Sequence, residues 1–160
     1  MFIRPALPTD REAIWSVIAP IIRAGETYAL DPSMSEEDAL GYWLKPDNEV
    51  FVAEDGDAIV GTYYMRANQP GGGRHVCNCG FMTNVHANGR GIARQMCLHS
   101  LDYARSRGYR AMQFNFVVST NERAVRLWHS LGFQTVGRLP LAFELPTGAY
   151  VDAFVMFKQL

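Results

Sequence analysis

The feature that most restricts the fold is a glycine-rich turn, Asn88-Gly89-Arg90-Gly91-Ile92-Ala93, set between a strand pattern and a long helical pattern. Before it, Val76-Cys77-Asn78-Cys79-Gly80-Phe81-Met82-Thr83 is apolar and free of proline, which predicts a strand. After it, Ile92, Met96 and Tyr103 recur at near-helical spacing, joined by Ala93, Cys97, Leu101 and Ala104. Arg105 and Arg107 suit the negative end of that helix, and Gly108 suits its C′ position. Glycines in such a turn permit unusual dihedrals and let another molecule approach the main chain. The helix N-terminus adds unpaired N–H groups and a partial positive charge, so a phosphate is the natural guest. The string G-x-x-x-x-G-K-[ST] of a Walker loop is missing. A dinucleotide fingerprint counted from Gly89 would put Arg94 at its last position, and no acid lies between residues 103 and 121 to meet a ribose. An ordinary glycine-rich connection stays open at this level.

At 160 residues the chain reads as one domain, 1–160, long enough to bury roughly 68–70% of its unfolded surface. An apolar content of 48% beside a charged content of 19% describes a globular protein. The formal net charge is -1, with 15 basic and 16 acidic residues interspersed, so neither nucleic acid nor an anionic membrane is an expected partner. No apolar run approaches the ~18 residues of a membrane span, no signal peptide is read at the start, and three cysteines suggest reduced thiols. The expected setting is the cytoplasm.

Phe2 to Arg4 predicts a first strand. Thr9-Asp10-Arg11-Glu12 has a capping-box pattern, followed by a helix with Ile14, Trp15, Val17, Ile18, Ile21 and Ile22 on its apolar face and a break or kink expected before Pro20. Ser35 caps a second helix running to about Leu44. Val50 to Ala53 and Ala58 to Met65 are strands joined at Asp55-Gly56, a hairpin signal. Gly71-Gly72-Gly73 reads as slack before the central strand. Ala111 to Val118 predicts a strand with Met112, Phe114, Phe116 and Val118 on one face, and Asn121 starts a helix ended by Gly132. Phe133 to Val136 and Val151 to Phe157 complete the strands, separated by a proline-containing loop from Leu139 to Gly148. The order β-α-α-β-β-β-α-β-α-β-β is an α/β (α+β mixed) arrangement with helices on both faces of one sheet.

The hexapeptide resembles the acyl-CoA signature [QR]-x-x-G-x-[GA] of the GCN5-related N-acetyltransferases, with Asn88 at the first position in place of Gln or Arg. A second stretch, Asn121-x-x-Ala124-x-x-Leu127-Trp128-x-x-x-Gly132-Phe133, is similar to that family's N-x-x-A-x-x-L-Y-x-x-x-G-F. Gly25-Glu26-Thr27-Tyr28, Cys77-Asn78-Cys79-Gly80 and Phe114-Asn115 through Thr120-Asn121 further resemble a bacterial and fungal subgroup that includes acetyltransferases of proline analogues such as azetidine-2-carboxylate. The resemblance implies a mostly antiparallel sheet of about seven strands, bulged and splayed at its centre, with pantetheine slotted in like an added strand. It implies acetyl-CoA as cosubstrate and a small-molecule amine, most plausibly an amino acid or proline-like analogue, as acceptor. The attack would be direct, in a ternary complex. A peptide N-terminus as acceptor, a non-turnover acyl-CoA-binding module and a nucleotide-binding protein are the alternatives. The family is often homodimeric.

By the same resemblance, the Phe81 N–H would stabilise the oxyanion, and Met82 and Thr83 would give main-chain contacts to pantetheine. Asn88, Gly89, Arg90, Gly91, Ile92 and Ala93 would surround the pyrophosphate, and the Asn121 side chain would reach CoA. Trp128 stands where the family often has a tyrosine that protonates the departing thiolate. An indole is too weak an acid for that, so Trp128 would only wall the sulfur. Glu26 would be the base, directly or through water, because an ammonium has no lone pair to attack with. Glu26, Tyr28, Asn78 and Asn115 would meet the acceptor, with Asn78 also counted among the catalytic residues and Glu144 and Asp152 at the pocket border. Asn78 and Asn115 fall mid-strand, where an unpaired amide costs about 1–3 kcal/mol, so an internal brace between the strands is the competing role. His75, Cys77, Cys79 and His86 lack metal-ligand spacing, and no metal is expected. Cys79 and Cys97 have no activating base nearby in the sequence, so neither is expected as a nucleophile.

Overall fold

A computed structural model describes residues 1–87 and 89–160. The strands are β1 (Phe2–Pro5), β2 (Glu49–Asp55), β3 (Ala58–Ala67), β4 (Val76–Thr83), β5 (Ala111–Val118), β6 (Gln134–Glu144) and β7 (Tyr150–Gln159). The helices are α1 (Arg11–Ala24), α2 (Glu36–Trp43), α3 (Ile92–Ser106) and α4 (Glu122–Ser130). The sheet order is β1-β2-β3-β4-β5-β7-β6, antiparallel throughout except for the β4–β5 pair at its centre.

Alternation along the strands divides the core into two layers. Phe51, Tyr63, Met65, Met112, Phe114 and Met156 turn to one face, where α3 and α4 bring Ile92, Met96, Cys97, Leu101 and Trp128. Val52, Tyr64 and Met82 turn to the other, under Ile14, Val17, Ile18 and Ile22 of α1 and Leu40 and Trp43 of α2. Each large side chain buried this way contributes roughly 1.5–3 kcal/mol. Trp43, fully buried, donates its indole N–H to Thr62 Oγ1 (3.0 Å), and that hydroxyl donates to the Phe51 carbonyl (2.8 Å), so burial leaves neither polar group unpaired.

Ser35 caps α2 as its sequence signals, accepting from the Asp38 N–H at 3.1 Å. Four expectations are corrected. Helix α1 runs unbroken through Pro20, because Ile14, Val17 and Ile18 before it and Ile22 after it dock into one cluster and hold both halves in line. At its start Asp10, rather than Thr9, is the N-cap residue, and its carboxylate accepts from Arg4 (2.6 and 3.0 Å) and from the Leu7 N–H (2.7 Å). In β5 a register shift between Phe114 and Val117 breaks the alternation, so Val117 joins Met112 and Phe114 in the core while Phe116 turns out against Phe143. Most of the stretch expected as a loop from Leu139 to Gly148 is strand, with pairing to β7 resuming at Phe143–Val151. Pro140 is tolerated because β6 is the last strand of the sheet, where its missing N–H has no partner to lose.

Candidate active site

β4 and β5 pair only at Val76–Ala111 and Cys77–Met112, after which the parallel ladder stops. The last tie is a side chain: Asn78 Nδ2 donates to the Gln113 carbonyl at 3.0 Å. Beyond it one edge of β4 has no strand beside it. Which main-chain groups face that edge follows from the register. The Val76 carbonyl and the Asn84 N–H bond to the β3 side, at Asn68 and Val60, and the β3–β4 register runs from Gly61–Thr83 to Ala67–Cys77 without a shift. Even-numbered residues of β4 therefore aim N–H and C=O at β3, and Cys79, Phe81 and Thr83 aim theirs into the gap. The expected bulge in β4 is thus not present relative to β3. The irregularity that accompanies the splay lies in β5, between Phe114 and Val117.

Two clefts open onto this gap. The larger, about 720 Å3, runs from Pro20 and Ala24 of α1 past Met82 and Thr83 to Gly89, Gly91, Ile92 and Ala93, and along α4. The smaller, about 250 Å3, lies between the loop holding Thr27 to Leu30, the β3 residues Tyr64 and Arg66, and β4–β5 residues from Asn78 to Val118. Thr27, Tyr28, Phe81, Asn121, Ala124 and Trp128 line both and form the wall between them.

The turn has the expected shape in its described part. Gly89 (φ 83°) and Gly91 (φ 74°) are left-handed, and Gly91 is the N-cap residue of α3. A Cβ built on either would meet no protein atom within 4 Å, so the space over the turn is open to a ligand. Asn88 lies outside the described residues. Arg90 turns away from the cleft to pair with Asp55, which also meets the Met1 ammonium at 3.7 Å. The arginines that do line the larger cleft are Arg94, Arg123 and Arg126, three residues the motif reading did not single out. Arg94 donates to Ser130 Oγ (2.7 Å), Arg126 pairs with Glu122 (2.8 Å), and Arg123 stands in the first turn of α4.

Several expected roles change on this geometry. Met82 lines the larger cleft, but its N–H and C=O face β3, so main-chain contacts along the open edge fall to Phe81 and Thr83. Glu26 is exposed in the larger cleft and does not line the smaller one where an acceptor amine would sit. Tyr28 donates its hydroxyl to the Phe81 carbonyl at 2.9 Å, bracing the bare edge of β4, and burial raises its pKa. Asn78 braces β4 to β5 through Nδ2. Its Oδ1 has no hydrogen bond among the described residues and is not sealed off from solvent, since Asn48 Oδ1 alone is both buried and unpaired there. Asn115 is exposed rather than interior: it accepts from Gln113 Nε2 (2.9 Å) and donates to Asn68 Oδ1 (2.7 Å), so both ends of its amide are engaged. Asn121 commits Oδ1 to capping α4 at the Ala124 N–H (3.3 Å) and keeps its amide NH2 for the wall. Trp128 packs between Phe114 (centroids 5.0 Å) and Phe81 (5.3 Å), filling the base of the gap. Asp152 accepts from the Leu141 N–H and pairs with Arg138, and neither it nor Glu144 lines either cleft.

Burial pushes Cys79 well above the ordinary thiol value and Cys97 up to about 12, so neither holds thiolate near neutrality. No cluster of three or more metal-ligating side chains occurs among the described residues.

An open parallel gap beside a glycine-shaped helix N-terminus suits an extended, phosphorylated ligand. The model of the acetyltransferase (GNAT) family matches residues 15–133. The chain belongs to that family. As a GNAT protein it is an acetyl-CoA-dependent N-acetyltransferase. The N-acetyltransferase aca1 of Schizosaccharomyces pombe is 28% identical over 151 residues, which are 84% of this chain and 72% of that one. A GCN5-related N-acetyltransferase from Kribbella flavida is 42% identical with a TM-score of 0.94, over 99% of this chain and 97% of that one. The fold also matches a phosphinothricin acetyltransferase from Sinorhizobium meliloti solved in complex with AcCoA, at 18% identity and a TM-score of 0.87, over 99% of this chain and 88% of that one. Among the described residues, no helix is long and apolar enough to cross a membrane.

Proposed function

We propose that the protein moves an acetyl group from acetyl-CoA directly to the amine of a small molecule, an amino acid or proline-like analogue, with both substrates bound at once. The observation that carries this is the shared wall: two clefts of unequal size meet at Phe81 and Trp128, on an edge of β4 with no strand beside it. The larger cleft suits a long phosphorylated arm and the smaller one a compact amine. Residues 1–160 act as one acetyltransferase domain in this reading.

Gly89 and Gly91 shape the turn so that main-chain N–H groups at the start of α3 meet the pyrophosphate, with Arg94 and Arg123 nearby. Thr83 offers its N–H and C=O to the pantetheine amides, as a pairing strand would. The Phe81 N–H receives the thioester oxygen and stabilises the negative charge that grows there on attack. The amine nitrogen bonds to the acetyl carbon from the smaller cleft, the C–S bond breaks, the amine loses one proton and the CoA thiolate gains one. Asn78 Oδ1, which makes no hydrogen bond among the described residues, accepts from the amine N–H in this reading. Glu26, on the far side of the wall, reaches that proton only through water. Trp128 keeps bulk water from the thioester and supplies no acid.

The test is thiol release from acetyl-CoA against a panel of amines that includes azetidine-2-carboxylate, L-proline and short peptides. Turnover of free amino acids or proline analogues is expected. Tight CoA binding with no thiol release for any amine would instead mark a non-catalytic acyl-CoA-binding module, and turnover of peptides alone would move the acceptor to a chain terminus. Gly91→Val forces a branched side chain into a left-handed position under the pyrophosphate and is expected to weaken CoA binding by about tenfold or more. Unchanged affinity there would remove the turn from the cofactor site.

A further inference from the structure

The smaller cleft carries a charge that nothing so far explains. Its lining is aromatic and amide-rich, and among its described residues Arg66 alone bears a full charge. No Asp, Glu or His is among its described lining residues. Among the described residues no carboxylate pairs with Arg66; its guanidinium lies over the Tyr64 ring, 5.4 Å from the centroid. Stacking of this kind holds the plane of the guanidinium and leaves its N–H edges free. Two features fix the platform. Arg66 and Asn78 are register partners on β3 and β4. Tyr64 and Gly80 are the next such pair, and a Cβ on Gly80 would come within 2.6 Å of the Tyr64 ring, so the glycine is what lets that ring lie across β4.

We propose that Arg66 anchors a carboxylate of the acceptor, so that the substrate is a small zwitterion that gives its anion to Arg66 and its amine to the wall at Phe81 and Asn78. This rests on the acetyltransferase reading of the same site. A lone guanidinium in a pocket without acids repels diamines and other cationic acceptors and attracts a single negative charge. One fixed positive charge matches a carboxylate; a dianionic phosphate would leave a charge uncompensated against the tyrosines of the wall. A volume of about 250 Å3 suits a free amino acid, and a peptide N-terminus, which has no α-carboxylate, gains nothing from the anchor.

The experiment compares azetidine-2-carboxylate, L-proline and L-alanine with their carboxamides, by calorimetric titration of the CoA-loaded protein and by kcat/KM with acetyl-CoA. The carboxamides keep the ring or side chain and the amine and replace the carboxylate by a neutral amide of the same size. Wild-type protein is expected to favour at least one acid over its amide by about tenfold or more, in line with a charge-assisted pair. Arg66→Ala should reduce that preference to about twofold or less, Arg66→Lys should keep part of it, and KM for acetyl-CoA should stay unchanged in both. Equal binding of acids and amides by the wild type, no binding of either, or a preference that survives Arg66→Ala would overturn the assignment. Acid-selective binding without thiol release would leave the anchor standing and defeat the transferase reading. Thiol release that is indifferent to the carboxylate would do the reverse.

Discussion

Arg123 occupies a helix turn where the backbone dipole ordinarily favours acids, and Glu122 beside it follows that preference. A guanidinium there is unfavourable for α4 and becomes intelligible through the cleft it lines, which Arg94 and Arg126 line as well. Arg123→Ala is therefore expected to weaken CoA binding about three- to tenfold without lowering Tm, measured by titration calorimetry and thermal melting. No motif pointed to these arginines. Arg123 and Arg126 fall between the signature positions Asn121, Ala124 and Leu127, Arg94 follows the glycine-rich turn, and only the packing of α3 and α4 shows which residues line the cleft. Asp10 lay within a stretch whose sequence signalled a cap, yet its carboxylate serves Arg4 and the Leu7 N–H. Hydrogen bonding by Arg4 holds its pKa below the ordinary carboxylate value. A group depressed in this way stabilises the fold above its unfolded pKa, near 4, and loses that contribution as the pH falls through the folded value. Asp10→Asn should cost roughly 1–3 kcal/mol at neutral pH and flatten the decline of stability below about pH 4, as urea melts across pH would record.

At the scale of elements, the most consequential one is the strand with an unpaired edge. Alternation in β4 separates two kinds of amide. Gly80 and Met82 point theirs at β3, and Phe81 and Thr83 point theirs at the gap. Hydrogen exchange should show Phe81 and Thr83 exchanging fast in the free protein and slowly once CoA is bound, with Gly80 and Met82 protected in both states. Uniform protection along the strand would contradict the open edge. The position and ends of β4 were legible in its residues, because a continuous apolar run bounded by turn signals has one reading. Which of its amides stay unpaired was not, since that depends on the neighbouring strand. In β5 the expected alternation failed for a related reason: the shift after Phe114 exchanges Phe116 for Val117 in the core, and a bulge leaves no mark in a two-residue pattern. The residues of β6 signal a strand only to Val136 and a proline-containing loop from Leu139, although a terminal strand tolerates proline.

For the molecule as a whole, the order of elements and the two-faced sheet follow from local periodicity and caps. The site does not, because its wall draws Tyr28, Phe81 and the pair Asn121 and Trp128 from three distant parts of the chain. That wall has a kinetic consequence. If each substrate takes its own cleft, as proposed, and burial keeps Cys79 and Cys97 protonated, initial-rate plots against both substrates should intersect, and no acetylated protein should accumulate with acetyl-CoA alone. Parallel lines with a trapped acyl-protein would contradict the shared wall.

Pro140 matters beyond the length of its strand. It sits on the outermost strand, next to Leu141 in a left-handed conformation (φ 49°), so the unpaired edge there is neither flat nor a continuous row of donors. An incoming peptide that tried to lengthen the sheet from this side would lose its register midway. The same kink that hid part of β6 from a reading of its residues thus guards the protein against fibrillar growth at the side where its sheet is bare.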